Sequence, residues 1–474
     1  MTPSRRDFLY AAGVAGVGLT APLTMAQPPA PRVRKDIATL NDKSPDIVAL
    51  RTAVAIMKDK PPVPNLSWTA QAEIHGYVND GFNKCQHRNW FFAPWHRMYV
   101  YFFEQIVAAL GKYPGFALPY WDWTRHPTLP DLFWAAPFND PTREVTKGEK
   151  ISQGDYDTYV SNAVISGILG QASFNTFGGG AGRGGQLEGT PHNFIHRWVG
   201  GDMATAGSPT DPVFWLHHCN VDRLYEVWIR KHPGRLPPET AWTDKQFNDF
   251  YTADGKAGAG LIVKNTNNPT ALGYTYDRVE AGLVASVPRP LPELVSVEGP
   301  LAKPEVKDGV AVYTLTPRGA VAAAVRQVVG GTHDPRSTSV QLELSGVKVP
   351  ANQNVRLSVF INAPNPGPEL PSTDPHHVAT FTFFDGPHAA KKGDHAKEAK
   401  DEHGKEGTIT LSADATGTLI RLFGDAAFGA NETLKVQVVA APLFPTRKNR
   451  WMGTVQDVSP AEVRLVVSTP KAVP

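Results

Sequence analysis

Cysteine is nearly absent from this chain of 474 residues: Cys85 and Cys219 are the only two. A disulfide-built scaffold is excluded, and a single disulfide is the most the chain could hold. No charge of one sign dominates, with 47 Lys and Arg against 45 Asp and Glu. That balance leaves no basic footprint for nucleic acid and no electrostatic draw to an anionic lipid surface. Once the N-terminus is set aside, no run is long and apolar enough to span a membrane. What remains is a multidomain globular chain, long enough for two or three domains of ~100–200 residues each.

The N-terminus carries an address. Ser4-Arg5-Arg6-Asp7-Phe8-Leu9 precedes an apolar Gly/Ala-rich run from Tyr10 to Leu23, and Thr24-Met25-Ala26 offers small residues for cleavage before Gln27. Residues 1–26 resemble a bacterial twin-arginine signal peptide, against the alternatives of an ordinary export signal or a short core helix. The resemblance implies that the chain leaves the cytoplasm folded and is periplasmic or secreted.

After a Pro-rich arm at 27–35, helical patterns cover 36–60, 68–80 (with His75) and 94–110, where Pro94 fits the first turn and Gly111 ends the apolar run. Leu118-Pro119-Tyr120-Trp121-Asp122-Trp123 reads as a buried loop, and the glycines of 178–185 as a flexible one. From about 295 the texture changes to short β-rich runs at 312–316, 339–344, 355–361, 378–384, 408–411, 419–423, 433–439 and 462–467. These predict an antiparallel sandwich or barrel. The expected division is a catalytic domain at 27–284, a Pro-rich linker at 285–304 and a β-sandwich-like domain at 305–474. The charged, His-containing run at 388–405 reads as a solvated loop.

Six histidines in two groups carry the chemistry: His75, His87 and His96, then His192, His196 and His218. Three imidazoles per group, with few carboxylates or cysteines nearby, suit two borderline-soft ions such as copper or zinc. Thr190 reads as an N-cap and Pro191 as the first residue of a helix whose His192 and His196, four residues apart, share one face. Asp211 and Pro212 open another helix, with His218 on its buried stripe and His217 pointing elsewhere, as a histidine that packs or supports the ligands from behind. His96 sits in the first turn of a very apolar helix, where an unpaired ring would be costly.

The run from His87 through Phe92, Trp95, His96 and Arg97 to Glu104 resembles the copper-A motif of the tyrosinase and polyphenol oxidase family. Asp211-Pro212-x-Phe214-Trp215-x-x-His218-x-x-x-Asp222 resembles its copper-B motif. Ala93 stands where a larger apolar residue is common. Ala271-Leu272-Gly273-Tyr274-Thr275-Tyr276 is similar to the tyrosine motif that closes the family's catalytic domain, and 355–363 and 378–388 to parts of its C-terminal domain. The resemblance implies a mainly α-helical catalytic domain with a four-helix bundle around two coppers, CuA on the first triad and CuB on the second. It also implies a shielding C-terminal domain of the long, plant-type architecture. Cys85-Gln86-His87 resembles the family segment in which a thioether joins Cys85 to His87; a Cys85–Cys219 disulfide is the alternative. Cys219 more simply fills a small buried space.

The chemistry implied is O2-driven ortho-hydroxylation of monophenols and oxidation of o-diphenols to o-quinones. Glu188 and Asn193 match the positions that hold a water to take the phenolic proton, although both also suit a helix N-terminus. Asp222 and Arg97 are candidates to brace the ligands, by pairing with each other or through Arg223. A catechol oxidase limited to o-diphenols and a haemocyanin-like oxygen carrier are the competing readings. The implied partners are small phenols and a copper chaperone.

Overall fold

The computed structural model describes residues 30–76, 84–279, 294–330, 338–384, 408–424, 428–429 and 432–470. The leader, the start of the Pro-rich linker and the charged run at 388–405 lie outside the described residues.

The first half is helical. α1 (Pro45–Asp59) buries Ile47, Leu50, Val54 and Met57 along one stripe. Ser67 accepts from the Ala70 amide and starts α2 (Trp68–Glu73), which ends just before His75. α3 (Phe92–Leu110) has Pro94 in its first turn and stops at Gly111. A side chain at Gly111 would meet the Ala49 carbonyl oxygen at 2.6 Å, so glycine there lets α1 approach α3 closely. α4 (Asn193–Val199) is preceded by a wide π-type turn over Glu188–His192. Helical backbone therefore begins before Thr190, and the expected Thr190 cap is wrong. Pro191 lies inside the helix, where the wide turn accommodates its missing N–H, and the Thr190 hydroxyl donates to Thr380 O at 3.0 Å. α5 (Val213–Lys231) starts as expected: Asp211 accepts from the Val213 amide at 2.9 Å, and Arg143 clamps the Asp211 carboxylate at 2.6 and 2.7 Å. Phe103 of α3 stacks on Trp215 of α5, with ring centroids 3.5 Å apart.

β1 (Arg32–Arg34) reaches back to pair in parallel with the Tyr274–Tyr276 strand, Arg34 opposite Tyr276. β2 (Arg183–Gly184) arises from the glycine-rich segment, which was expected to be a plain loop; β3 is Tyr274–Tyr276.

Among the described residues, the second half builds two five-stranded sheets, one of which takes its edge strand β2 from the first half. One, containing β4 (Pro304–Lys307), β5 (Val310–Leu315), β6 (Val355–Ile361), β7 (His377–Thr382) and β8 (Leu434–Pro442), is ordered β7-β6-β8-β5-β4. In the other, Thr408–Asp414 lies between β2 and Ser339–Lys348, and Glu462–Pro470 lies between Ser339–Lys348 and Leu294–Glu298. The last part of the expected linker is thus an edge strand. The run at 419–423 is helix, not strand: Thr416–Phe423 coils so that Leu419 is buried, and Asp414 accepts from the Thr416 amide at its start. A helix at Gly319–Val329 was not expected. One core is built from residues between Ile37 and Tyr276 and the other from Ala311 to Val467, but Leu443 and Phe444 pack into the first. The two halves therefore interlock.

Candidate metal centre

α2, α3, α4 and α5 deliver the histidines. His75 follows α2, His87 lies in the loop before α3, His96 is on α3, His192 ends the π-type turn, His196 is on α4 and His218 on α5. The structure brings His75, His87 and His96 together, and His192, His196 and His218 together; within each group one ligating atom per residue lies within 4.8 Å of the others. Each group holds a fourth member besides its triad. Cys85 joins the first, with Sγ 3.3 Å from His96 Nε2. His217 joins the second, contrary to the expectation that it points away. The groups share a wall: His96 stacks on His218 with centroids 4.4 Å apart, and His87 stands edge-on to His192 at 5.7 Å. Two ions bound here would occupy one pocket.

The hydrogen bonds test whether this set suits a metal. Nδ1 of His75, His96 and His196 bonds to the carbonyls of Ala206, Phe92 and Met203 at 2.8, 2.8 and 2.6 Å. His192 Nδ1 bonds to Asn193 Oδ1 at 2.8 Å. A carbonyl oxygen only accepts, so each of these Nδ1 atoms carries its proton and each Nε2 keeps a lone pair. Nε2 of His196 and His218 face one another at 3.3 Å. Fully buried, His192 Nε2 has no protein partner among the described residues. This is how metal-ligating imidazoles are oriented by the groups behind them. Burial pushes His75 down to about 4, and burial with neighbouring imidazoles takes His87, His96, His192, His196 and His218 well below the ordinary value. All six are neutral, as nitrogen ligands to copper must be. The donor set fits two copper ions.

Behind the pocket lies a buried ion cluster. Arg97 pairs with Asp222, which also takes Arg34 at 3.0 Å and the hydroxyls of Tyr274 and Tyr276 at 2.7 and 2.6 Å. Glu104 holds Arg34 at 2.7 Å and the Leu118 amide at 2.9 Å. Burial alone would raise the Asp222 carboxyl, but Arg97 and Arg34 outweigh it and hold it below the ordinary range. Arg223 does not reach Asp222 and pairs with Asp122 instead. Cys219 is a free thiol raised to about 12 by burial, and it donates to Leu118 O.

At the mouth, Glu188 and Asn193 line a cavity with Arg88, Thr382, Phe383 and Phe384. Both Glu188 oxygens accept from the Arg88 amide at 2.9 Å, and the Asn193 amide donates to Thr382 O at 2.9 Å. Phe384 covers the histidines: its ring stacks on His196 with centroids 4.0 Å apart and lies 5.5 Å from His87 and 5.7 Å from His192. No local sequence pattern marks Phe384 as a contact of the histidines, because the contact joins residues far apart in the chain.

Fold and site together define a paired-metal protein with a histidine-rich centre covered by a β-sheet domain. The family model for the common central domain of tyrosinase matches residues 65–178 and 139–231. A Streptomyces glaucescens tyrosinase is 33% identical over 237 residues, covering 43% of this chain and 84% of that protein. A chloroplastic polyphenol oxidase of Malus domestica is 29% identical over 332 residues, covering 60% of this chain and 53% of the relative. The chain thus spans only about half the length of that relative. A latent aurone synthase (polyphenol oxidase) structure matches with TM-score 0.68 at 21% identity, over 94% of this chain and 91% of that one. An octopus haemocyanin functional unit shares the fold at TM-score 0.53 and 19% identity, over 93% of this chain and 100% of that one. The chain belongs to the tyrosinase family.

Proposed function

We propose that the chain oxidises phenols with O2 at two copper ions, hydroxylating monophenols ortho to the hydroxyl and oxidising o-diphenols to o-quinones. The observation that carries this reading is the pair of adjoining histidine triads, in which the Nδ1 bonds of His75, His96, His192 and His196 leave a lone pair at Nε2. His75, His87 and His96 would hold one copper, and His192, His196 and His218 the other. Bound copper supplies the activation of O2, which no side chain here provides. The six imidazoles stay neutral and fixed, with Phe92 packed on His192 and Phe214 on His218 at centroid distances of 4.7 and 4.2 Å, and Arg97 with Asp222 braces α3 against α5. Glu188, with a water held beside Asn193, takes the proton of a phenol entering at the mouth. That proton acceptor favours hydroxylation of monophenols over a catechol oxidase limited to o-diphenols. An oxygen-uptake assay of the copper-loaded chain on a monophenol and on its o-diphenol tests the reading. Uptake on the o-diphenol alone leaves a catechol oxidase, and reversible O2 binding without turnover leaves a carrier.

The C-terminal domain is proposed to keep this enzyme closed, with Phe384 seated where a phenol ring would lie. Limited proteolysis or mild detergent should raise o-diphenol oxidation before destroying it. A chain ending near residue 295 that folds, binds copper and is no more active than the full chain would refute the shielding role. A Cys85–His87 thioether is proposed to fix the ligand that lies in the loop before α3. Export is proposed to follow the twin-arginine leader, so Arg5→Lys with Arg6→Lys should leave the protein in the cytoplasm.

A further inference from the structure

His217 has the opposite polarity to the ligands around it. The Trp123 indole N–H, which can only donate, bonds to His217 Nδ1 at 3.2 Å. Trp123 is itself fully buried, and its loop is tied to the start of α5 by the Trp121 amide on Leu216 O at 3.1 Å. A neutral imidazole that accepts at Nδ1 carries its proton at Nε2. His192 and His196 do the reverse, donating at Nδ1 and keeping a lone pair at Nε2. His217 therefore has no lone pair left for a metal, although it stands among the ligands: its ring lies parallel to His192 at 5.2 Å and edge-on to His196 at 4.8 Å. Its Nε2 is buried without a protein partner among the described residues.

We propose that His217 is a binding residue of the second metal site: a neutral N–H donor, locked in that form by Trp123, for an anionic ligand atom held at that copper. A phenolate oxygen and a small inorganic anion both satisfy the same N–H. A buried donor is costly until an acceptor meets it, and a bond to a charged acceptor is the stronger kind. The donor thus selects anions over neutral ligands and needs no charge of its own.

The inference rests on copper occupying the second triad, which a metal count tests separately. In the wild-type metal-free chain, nitrogen NMR with labelled histidine should show His217 protonated at Nε2 and bare at Nδ1; the reverse tautomer overturns the proposal whatever the metal does. In the copper-loaded full chain, His217→Phe should keep two coppers and weaken azide binding about tenfold. His217→Gln, which retains an N–H donor, should recover most of that affinity, and Trp123→Phe should lose part of it by freeing the tautomer. A matching rise in KM for an o-diphenol with little change in kcat assigns the donor to substrate, whereas azide weakening alone assigns it to small anions. Loss of one copper in His217→Phe makes His217 a ligand and refutes the proposal. So does unchanged azide affinity in a variant that keeps both coppers. Should His217→Phe not fold, the tautomer and the Trp123→Phe titration decide.

Discussion

Carbonyl oxygens of Ala206, Phe92 and Met203 decide which nitrogen three of the ligand histidines offer, and burial decides that they offer it unprotonated. For His75 the fold lowers the pKa from 6.5 to about 4, so between these values the unfolded chain binds more protons than the folded one. Stability of the metal-free protein should therefore be full above about pH 6.5 and fall as the pH drops towards 4. A urea midpoint that does not move between pH 7 and pH 5 would contradict this. His218→Ala should hold one copper instead of two and lose phenol oxidation, as read by metal analysis beside oxygen uptake. Peptide mass spectrometry across Cys85 and His87 should find two hydrogens missing after reduction; a free Cys85 thiol would exclude the thioether. The six histidines were legible because motif spacing marks them. The carbonyls behind them were not, since a backbone acceptor has no sequence signature. The direction of His217 was misread because its helical phase sets it off the apolar stripe of the sequence, whereas α5 is buried all round from Val213 to Trp228 and Trp123, from a distant loop, bonds to His217.

Among the elements, the π-type turn bearing His192 and the β7 strand are fastened to each other. Thr190 and Asn193 donate to the Thr380 and Thr382 carbonyls, and Thr382 returns a bond to Gly189 O. A Cβ at Gly189 would come within 2.7 Å of the buried Phe381 ring. Gly189→Ala should push β7 outward at a cost of about 1–3 kcal/mol, and so raise o-diphenol turnover of the uncut chain while both coppers stay bound. Asp222→Asn should act through α3 and α5 instead. It leaves the buried Arg34 and Arg97 short of a counter-charge, at a cost of about 3–5 kcal/mol, measurable by urea unfolding. Element starts and stops with local signals, such as Asp211 and Gly111, could be read from the chain. The apolar run Leu419–Phe423 could not be assigned by period alone. The Asp414 side chain that starts its helix was the available clue. The wide turn at Glu188–His192 had none, because a proline more often opens a helix than sits within one.

For the whole molecule, the division into a helical half and a β-rich half was legible in composition, but the fastening between the halves was not. Arg447 crosses from the second half to the Arg197 and Trp198 carbonyls at 3.0 and 2.9 Å, and Arg183 reaches Glu343 at 2.5 Å. The β2 strand goes further. It belongs to the helical half by sequence, yet Arg183 and Gly184 pair with Thr410 and Leu411 and complete the edge of a sheet in the other half. Severing the linker would leave those backbone hydrogen bonds intact, so a nicked molecule should survive as a two-piece, non-covalent complex. Size-exclusion chromatography should show both pieces co-eluting soon after the cut. The gain in activity should then lag behind cleavage with a first-order rate that does not depend on the amount of protease. Onset would be timed by the lifetime of a two-residue strand pairing and the contacts around it, giving the protein a delay that no inhibitor has to supply.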